Sequence, residues 1–208
     1  MSQESKKGAL IHPTLHHFGL MTARLKEMLD WYAKVLGMTT NFQSSWETET
    51  GASAGLAFVS NDRAHHRLAL ISLPGLRDDT DKHMHVKLQH VAFEYATIDD
   101  LLHSWERLKG LGIEPVLTTD HGPTTAFYYQ DPDGNSVELF ADNFGDWEQS
   151  AEYVRTSPDF HQDPMGTYLD PEQVLAARRA GATPAELHAR ASAGEFPPAL
   201  PMDPRVLL

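Results

Sequence analysis

The sequence predicts an α+β fold made of two βαβββ modules packed side by side. Three observations lead there. A short motif recurs: Leu15-His16-His17-Phe18-Gly19-Leu20 is echoed by Leu88-Gln89-His90-Val91-Ala92-Phe93, which places His17 and His90 73 residues apart. Each copy opens an apolar run of strand character, and an amphipathic helix follows each run. After each helix come three more short β-like runs separated by turn residues.

The elements follow in order. The first helix spans about 23–36, with Met28, Trp31, Tyr32 and Val35 at helical spacing, and closes at Gly37, the residue type that accepts a left-handed cap. Strand runs follow at about 39–42, 55–59 and 66–71. The polar segment 73–87, with Pro74 and Gly75, reads as a link. The second helix spans about 98–111 and carries Leu101, Leu102, Trp105 and Leu108 on one face. Thr97 and Asp99 are its candidate N-caps, and Gly112 closes it. Its strands fall at about 115–119, 126–130 and 136–140. Asp131-Pro132-Asp133-Gly134-Asn135 makes the turn between the last two.

The organisation is therefore one domain over 12–145, with module one at about 12–72 and module two at about 88–142, followed by a Pro-rich arm over 146–208. Two short helices are expected in the arm, at Asp170-Pro171 and Thr183-Pro184, where a cap precedes proline at the first helical position. The arm is too thin in apolar residues to fold alone, so it is expected to lie over the domain or across a partner subunit.

Composition narrows the function classes. With 29 acidic against 17 basic residues, the formal net charge is -12, which repels nucleic-acid phosphates and anionic membranes alike. There is no cysteine, so disulfides, thiolate nucleophiles and cysteine-bound zinc are excluded. Met1–Lys7 is polar and lacks the apolar stretch of a signal peptide, and no run approaches the roughly 20 apolar residues of a membrane span. These features suit a cytoplasmic protein. The placement of the 12 histidines matters more than their number.

Two histidines opening equivalent strands of a repeat point to equivalent places, and face one another if the modules pack with pseudo-symmetry. In Ser136-Val137-Glu138-Leu139-Phe140, alternation sends Val137 and Leu139 to one face and Glu138 to the other. A carboxylate between apolar neighbours requires solvent or a cation. Two imidazoles and one carboxylate on one face of a metal leave three positions free, the arrangement associated with non-heme Fe(II) oxygen chemistry. His17, His90 and Glu138 are thus the candidate ligands. Taken singly, each has an ordinary reading, as a strand-end histidine or a solvated strand carboxylate. His16 is expected to be exposed or to support the site, since only His17 aligns with His90.

With these residues in place, the chain resembles the vicinal oxygen chelate superfamily, in which paired βαβββ modules form a cupped sheet around a metal. Within it, the chain is similar to the type I extradiol ring-cleaving dioxygenases in their short, single-domain form. The resemblance covers about 12–145. Its most specific part runs from Asp120-His121-Gly122-Pro123 through Phe127-Tyr128-Tyr129-Gln130 and Asp131-Pro132-Asp133-Gly134-Asn135 to Glu138. It implies O2-dependent opening of a catechol-type ring next to the diol, with Fe(II), or alternatively Mn(II), held by His17, His90 and Glu138. It further implies that Tyr128 bonds the substrate oxygen, that His121 supports Tyr128, and that His66 is the acid–base residue beside the O2 position. Phe127, Trp147 and Phe160 are candidates for an aromatic wall, and Tyr129 for packing on the opposite face.

The chain also departs from the pattern, with a longer run from His66 to His90, which leaves His66 less firmly matched than Tyr128. Glyoxalase-type lyases and epimerases of the same superfamily are a competing reading, but many use four protein ligands. The module-one counterpart of Glu138 should fall within 65–70, where no carboxylate occurs. A metal-free aromatic-binding protein is the other alternative. A homo-oligomer is expected, because a cupped sheet leaves edges that need cover.

Overall fold

The computed structural model describes residues 12–207. The polar stretch Met1–Lys7 lies outside them.

The first module runs β1 (Phe18–Met21), α1 (Leu25–Leu36), β2 (Thr39–Glu47), β3 (Ser53–Ser60) and β4 (Leu68–Ser72). The second runs β5 (His90–Tyr95), α2 (Ile98–Gly110), β6 (Leu117–Asp120), β7 (Thr124–Gln130) and β8 (Ser136–Asp142). Each first strand pairs in parallel with its module's last strand, and the remaining pairs of each module are antiparallel hairpins. The sheet orders are β1-β4-β3-β2 and β5-β8-β7-β6, the latter extended by the two-residue β9 (Thr167–Tyr168) from the arm. The paired α+β modules expected from the repeat are present.

Both helices close as their sequences dictate. Gly37 adopts φ 64°, and its amide reaches the last-turn carbonyls of Tyr32 and Ala33. The Thr97 side chain caps α2 by accepting from the Asp100 amide. Asp99 is not a cap; it sits inside the first turn and pairs with Arg178 at 2.6 Å. β2 is nine residues long, well beyond the expected 39–42. Its polar, fully exposed sequence hid its full length; pairing with β3 defines it.

One face of each sheet packs on the helices. Met28, Tyr32 and Val35 of α1, Leu101, Leu102 and Leu108 of α2, and Phe127, Val137 and Leu139 of the second sheet share one core. Each such large side chain contributes roughly 1.5–3 kcal/mol by leaving water. The other face forms the cup. On the first sheet that face leaves Met21, Phe42 and Trp46 exposed.

The arm holds four helices rather than two: α3 (Trp147–Thr156), α4 (Pro158–Gln162), α5 (Pro171–Arg179) and α6 (Pro184–Ser192). Asp146 and Ser157 cap the two that periodicity did not reveal. The arm folds back on its own module. Leu169, Val174, Leu187 and Phe196 enter the shared core, and Arg179 pairs with Glu106 of α2 at 2.8 Å. At the junction Gly166 has φ 70°, and a Cβ there would lie 2.0 Å from the Asp120 carbonyl oxygen, so only glycine permits β9 to approach β6. No helix among the described residues is long and apolar enough to cross a membrane.

Candidate active site

The period-two alternation of β8 builds the site. Val137 and Leu139 enter the core, while Glu138 turns to the cup, where it is only 7% exposed. Register fixes its neighbours: Tyr128 lies opposite on β7, and Ala92 opposite on β5. His90 opens β5, and its Nε2 lies 3.0 Å from Glu138 Oε2.

The tautomer follows from the other ring nitrogen. His90 Nδ1 is bonded to the side-chain oxygen of Gln89, so it carries the ring proton. Gln89 Nε2 in turn donates to the Leu207 carbonyl at 3.1 Å. In the neutral ring, Nε2 of His90 therefore faces the carboxylate oxygen with a lone pair. Two such acceptors 3.0 Å apart repel unless a proton or a metal cation lies between them, and among the described residues no lysine or arginine pairs with Glu138. The chemistry of this donor set fits a divalent metal ion.

Tyr128 sits on the same face. Burial, and then the charge of Glu138, push its phenol above the ordinary tyrosine range, so it stays a donor near neutral pH. Its hydroxyl lies 3.0 Å from His121 Nε2, at the exit of β6. Behind His121, buried Asp120 accepts from the Gly122 amide at 2.8 Å, from Asn143 at 3.2 Å and from His188 of α6 at 2.8 Å. These contacts fix the loop that carries His121. Sequence reasoning found no role for Asp120, Asn143 or His188, and no local pattern ties positions 120 and 188 together.

The first module supplies a second group. His17, just before β1, is exposed, and its ring centroid is 4.2 Å from that of His66. His16 is exposed and its Nδ1 lies 3.0 Å from His17 Nδ1. His66 is buried and stacked on Phe58 with ring centroids 4.3 Å apart. Burial first, then the imidazoles of His17, His65 and His16, lower its affinity for a proton. His90, Glu138, Tyr128 and His121 thus gather in module two, and His17 and His66 in module one. Among the described residues, no three histidine or carboxylate side chains converge closely enough to hold one ion. A cavity of about 190 Å³, lined by His17, Phe18, Val91, Ala92 and Phe93, lies where β1 and β5 meet.

The candidate aromatic wall divides. Phe127 has the parity of Tyr129, and both are buried on the helix side, so Phe127 cannot line the cup. Trp147 is 72% exposed, with Nε1 bonded to Glu94. Phe160 and Tyr153 line a cavity of about 320 Å³ that reaches His121.

Residues 14–139 match the model of the Glyoxalase/Bleomycin resistance protein/Dioxygenase superfamily. The chain belongs to this superfamily. Biphenyl-2,3-diol 1,2-dioxygenase 2 of Rhodococcus globerulus is 35% identical over 189 residues, covering 91% of this chain and 94% of that protein. Biphenyl-2,3-diol 1,2-dioxygenase 3 of the same organism is 36% identical over 181 residues, covering 87% and 90%. A crystal structure of a domain of this superfamily from Frankia sp. EAN1pec shares the fold, with a TM-score of 0.52 and 18% identity over 64% of this chain and 93% of that one. Superfamily membership fixes the scaffold, whereas the chemistry depends on the cup residues. Here the relatives that share sequence along the arm as well as the modules bear the dioxygenase name.

Proposed function

We propose that this chain is an extradiol dioxygenase, which opens an aromatic diol next to its two hydroxyls with O2. The substrate class is biphenyl-2,3-diol or a related catechol, and the metal is Fe(II), with Mn(II) the alternative. The observation that carries the reading is the pair His90 Nε2 and Glu138 Oε2, 3.0 Å apart, on the same face as the protonated Tyr128.

In this reading His90 and Glu138 hold the ion, His17, just before β1, moves up to complete the set, and residues 146–208 form an arm on a catalytic domain spanning 12–145. When bound, the ion supplies Lewis acidity toward the diol and a common centre for the two reactants. The chain's own residues do the rest. Tyr128 donates to a diol oxygen, and His121 Nε2 holds the Tyr128 hydroxyl in line. His66, kept neutral by burial, accepts a diol proton and gives it back during ring opening. The exposed Met21, Phe42 and Trp46 support a homo-oligomer.

The test is anaerobic loading with Fe(II), followed by O2 uptake and ring-fission absorbance on a panel of catechols. Uptake equal to the diol consumed, with a yellow product, is expected. Full metal occupancy with no O2 uptake would overturn the reading in favour of a lyase or isomerase, and tight diol binding without metal would point to a carrier.

A further inference from the structure

Residues 202–207 lie against the cup face of the second sheet. Leu207, 6% exposed, shares a small buried apolar cluster with Leu117, Ala126 and Tyr128, separate from the main core. Met202 packs on that cluster, and its sulfur accepts from the Thr118 amide at 3.3 Å. The backbone of the segment is fastened beside His90, Glu138 and Tyr128. The Leu207 carbonyl accepts from Gln89, next to His90, and at 3.5 Å from Ser136, two residues before Glu138. The Val206 carbonyl accepts from Gln130, two residues after Tyr128, at 2.7 Å.

We propose that residues 202–207 form the specificity-determining wall of the ring pocket, with Leu207 and Met202 setting the size and polarity of the substituent the diol can carry. The inference rests on the aromatic-diol reading of the site. Leu117 and Ala126 are covered by the segment, so a ring whose oxygen is bonded by Tyr128 meets the segment itself, at Leu207 and Met202. Leu207 and Met202 carry no charge, and the charged residues of the segment, Asp203 and Arg205, pair with each other in solvent. A neutral aryl or alkyl substituent gains by burial there, and a carboxylate loses its hydration with no partner. Because the segment hydrogen-bonds residues flanking His90, Tyr128 and Glu138, the wall moves with the site rather than as a free tail.

The experiment compares Fe(II)-loaded wild type, Leu207→Ala, Leu207→Trp, Met202→Ala and the conservative Leu207→Met. Calorimetric titration without O2 reads the Kd of catechol, biphenyl-2,3-diol and 3,4-dihydroxybenzoate, and turnover is measured separately. Wild type is expected to disfavour the carboxylated diol. Leu207→Trp should weaken biphenyl-2,3-diol relative to catechol by about tenfold, the discrimination that a small change in an apolar pocket confers. Leu207→Ala and Met202→Ala should shift the ratio the opposite way, and Leu207→Met should leave it near wild type. A ratio constant within about twofold across the Ala and Trp variants, all folded by circular dichroism, would overturn the wall while turnover keeps the dioxygenase reading. A Leu207-dependent ratio without turnover would remove the oxygen chemistry and keep the wall. If no diol binds any variant, both fall.

Discussion

Ala69 and Glu138 occupy the same register position in the two modules. Ala69 lies opposite Gly19 on β1, and Glu138 lies opposite Ala92 on β5, at the offset that also relates His17 to His90. Phe58, opposite Ala69, likewise stands where Tyr128 stands opposite Glu138. The repeat therefore carries a carboxylate and a phenol in one module, and a methyl and a plain ring in the other.

Introducing Ala69→Glu supplies the missing carboxylate. It should raise metal affinity or leave it unchanged, and it should suppress ring opening by about tenfold or more, because a fourth protein ligand takes a position the reactants need. Metal content and initial rate, measured on one preparation, check both halves. Wild-type turnover would mean that Ala69 does not face the ion.

Metal retention should grade with distance from the ion. Glu138→Ala and His90→Ala should lose it outright. Gln89→Leu, which removes only the partner of His90 Nδ1, should weaken it by about 10–100-fold, as second partners of metal-bound histidines do. Titration against a competing chelator separates the three.

Tyr128→Phe should keep the metal and slow ring opening by roughly 100-fold, within the range for a positioned proton donor. The cup position stays filled by a ring, so melting temperature should change little. A variant at wild-type rate would take Tyr128 out of the chemistry.

The His188–Asp120 pair gives a pH signature in stability. The hydrogen bond and charge of Asp120 raise the proton affinity of His188, whose side chain is 20% exposed. Asn143, Ser192 and the Phe144 ring also face the imidazole. A group with a raised folded pKa stabilises the fold fully below its unfolded value of about 6.5 and loses that contribution as pH rises through the folded value. His188→Ala should therefore cost about 1.5–3 kcal/mol at pH 6 and less at pH 9. Urea unfolding at the two pH values measures the difference. An equal cost at both would show that the imidazole serves as a neutral spacer.

The face on which Glu138 lies was legible because strand alternation is a local rule. Once Glu138 was set apart from Val137 and Leu139, register made Tyr128 its neighbour, and the Asp131–Asn135 turn fixed that register. The same rule excludes Phe127 from the cup, since it has the parity of Tyr129. Hydrophobic character alone suggested otherwise. The part of β2 beyond position 42 escaped because an exposed strand shows no apolar period, and α3 because its apolar residues are few.

By itself, the sequence determined the two βαβββ modules, the caps at Gly37 and Thr97 and the face on which Glu138 lies, because these depend on periodicity and on residues within a few positions of one another. Only the tertiary structure decided that the arm returns to its own module, that His188 steadies the loop of His121, and that Leu207 reaches Tyr128. Residues far apart in the chain meet there through packing and hydrogen bonds, 68 positions apart for Asp120 and His188 and 79 for Asp99 and Arg178, and no local pattern in the chain encodes such a meeting.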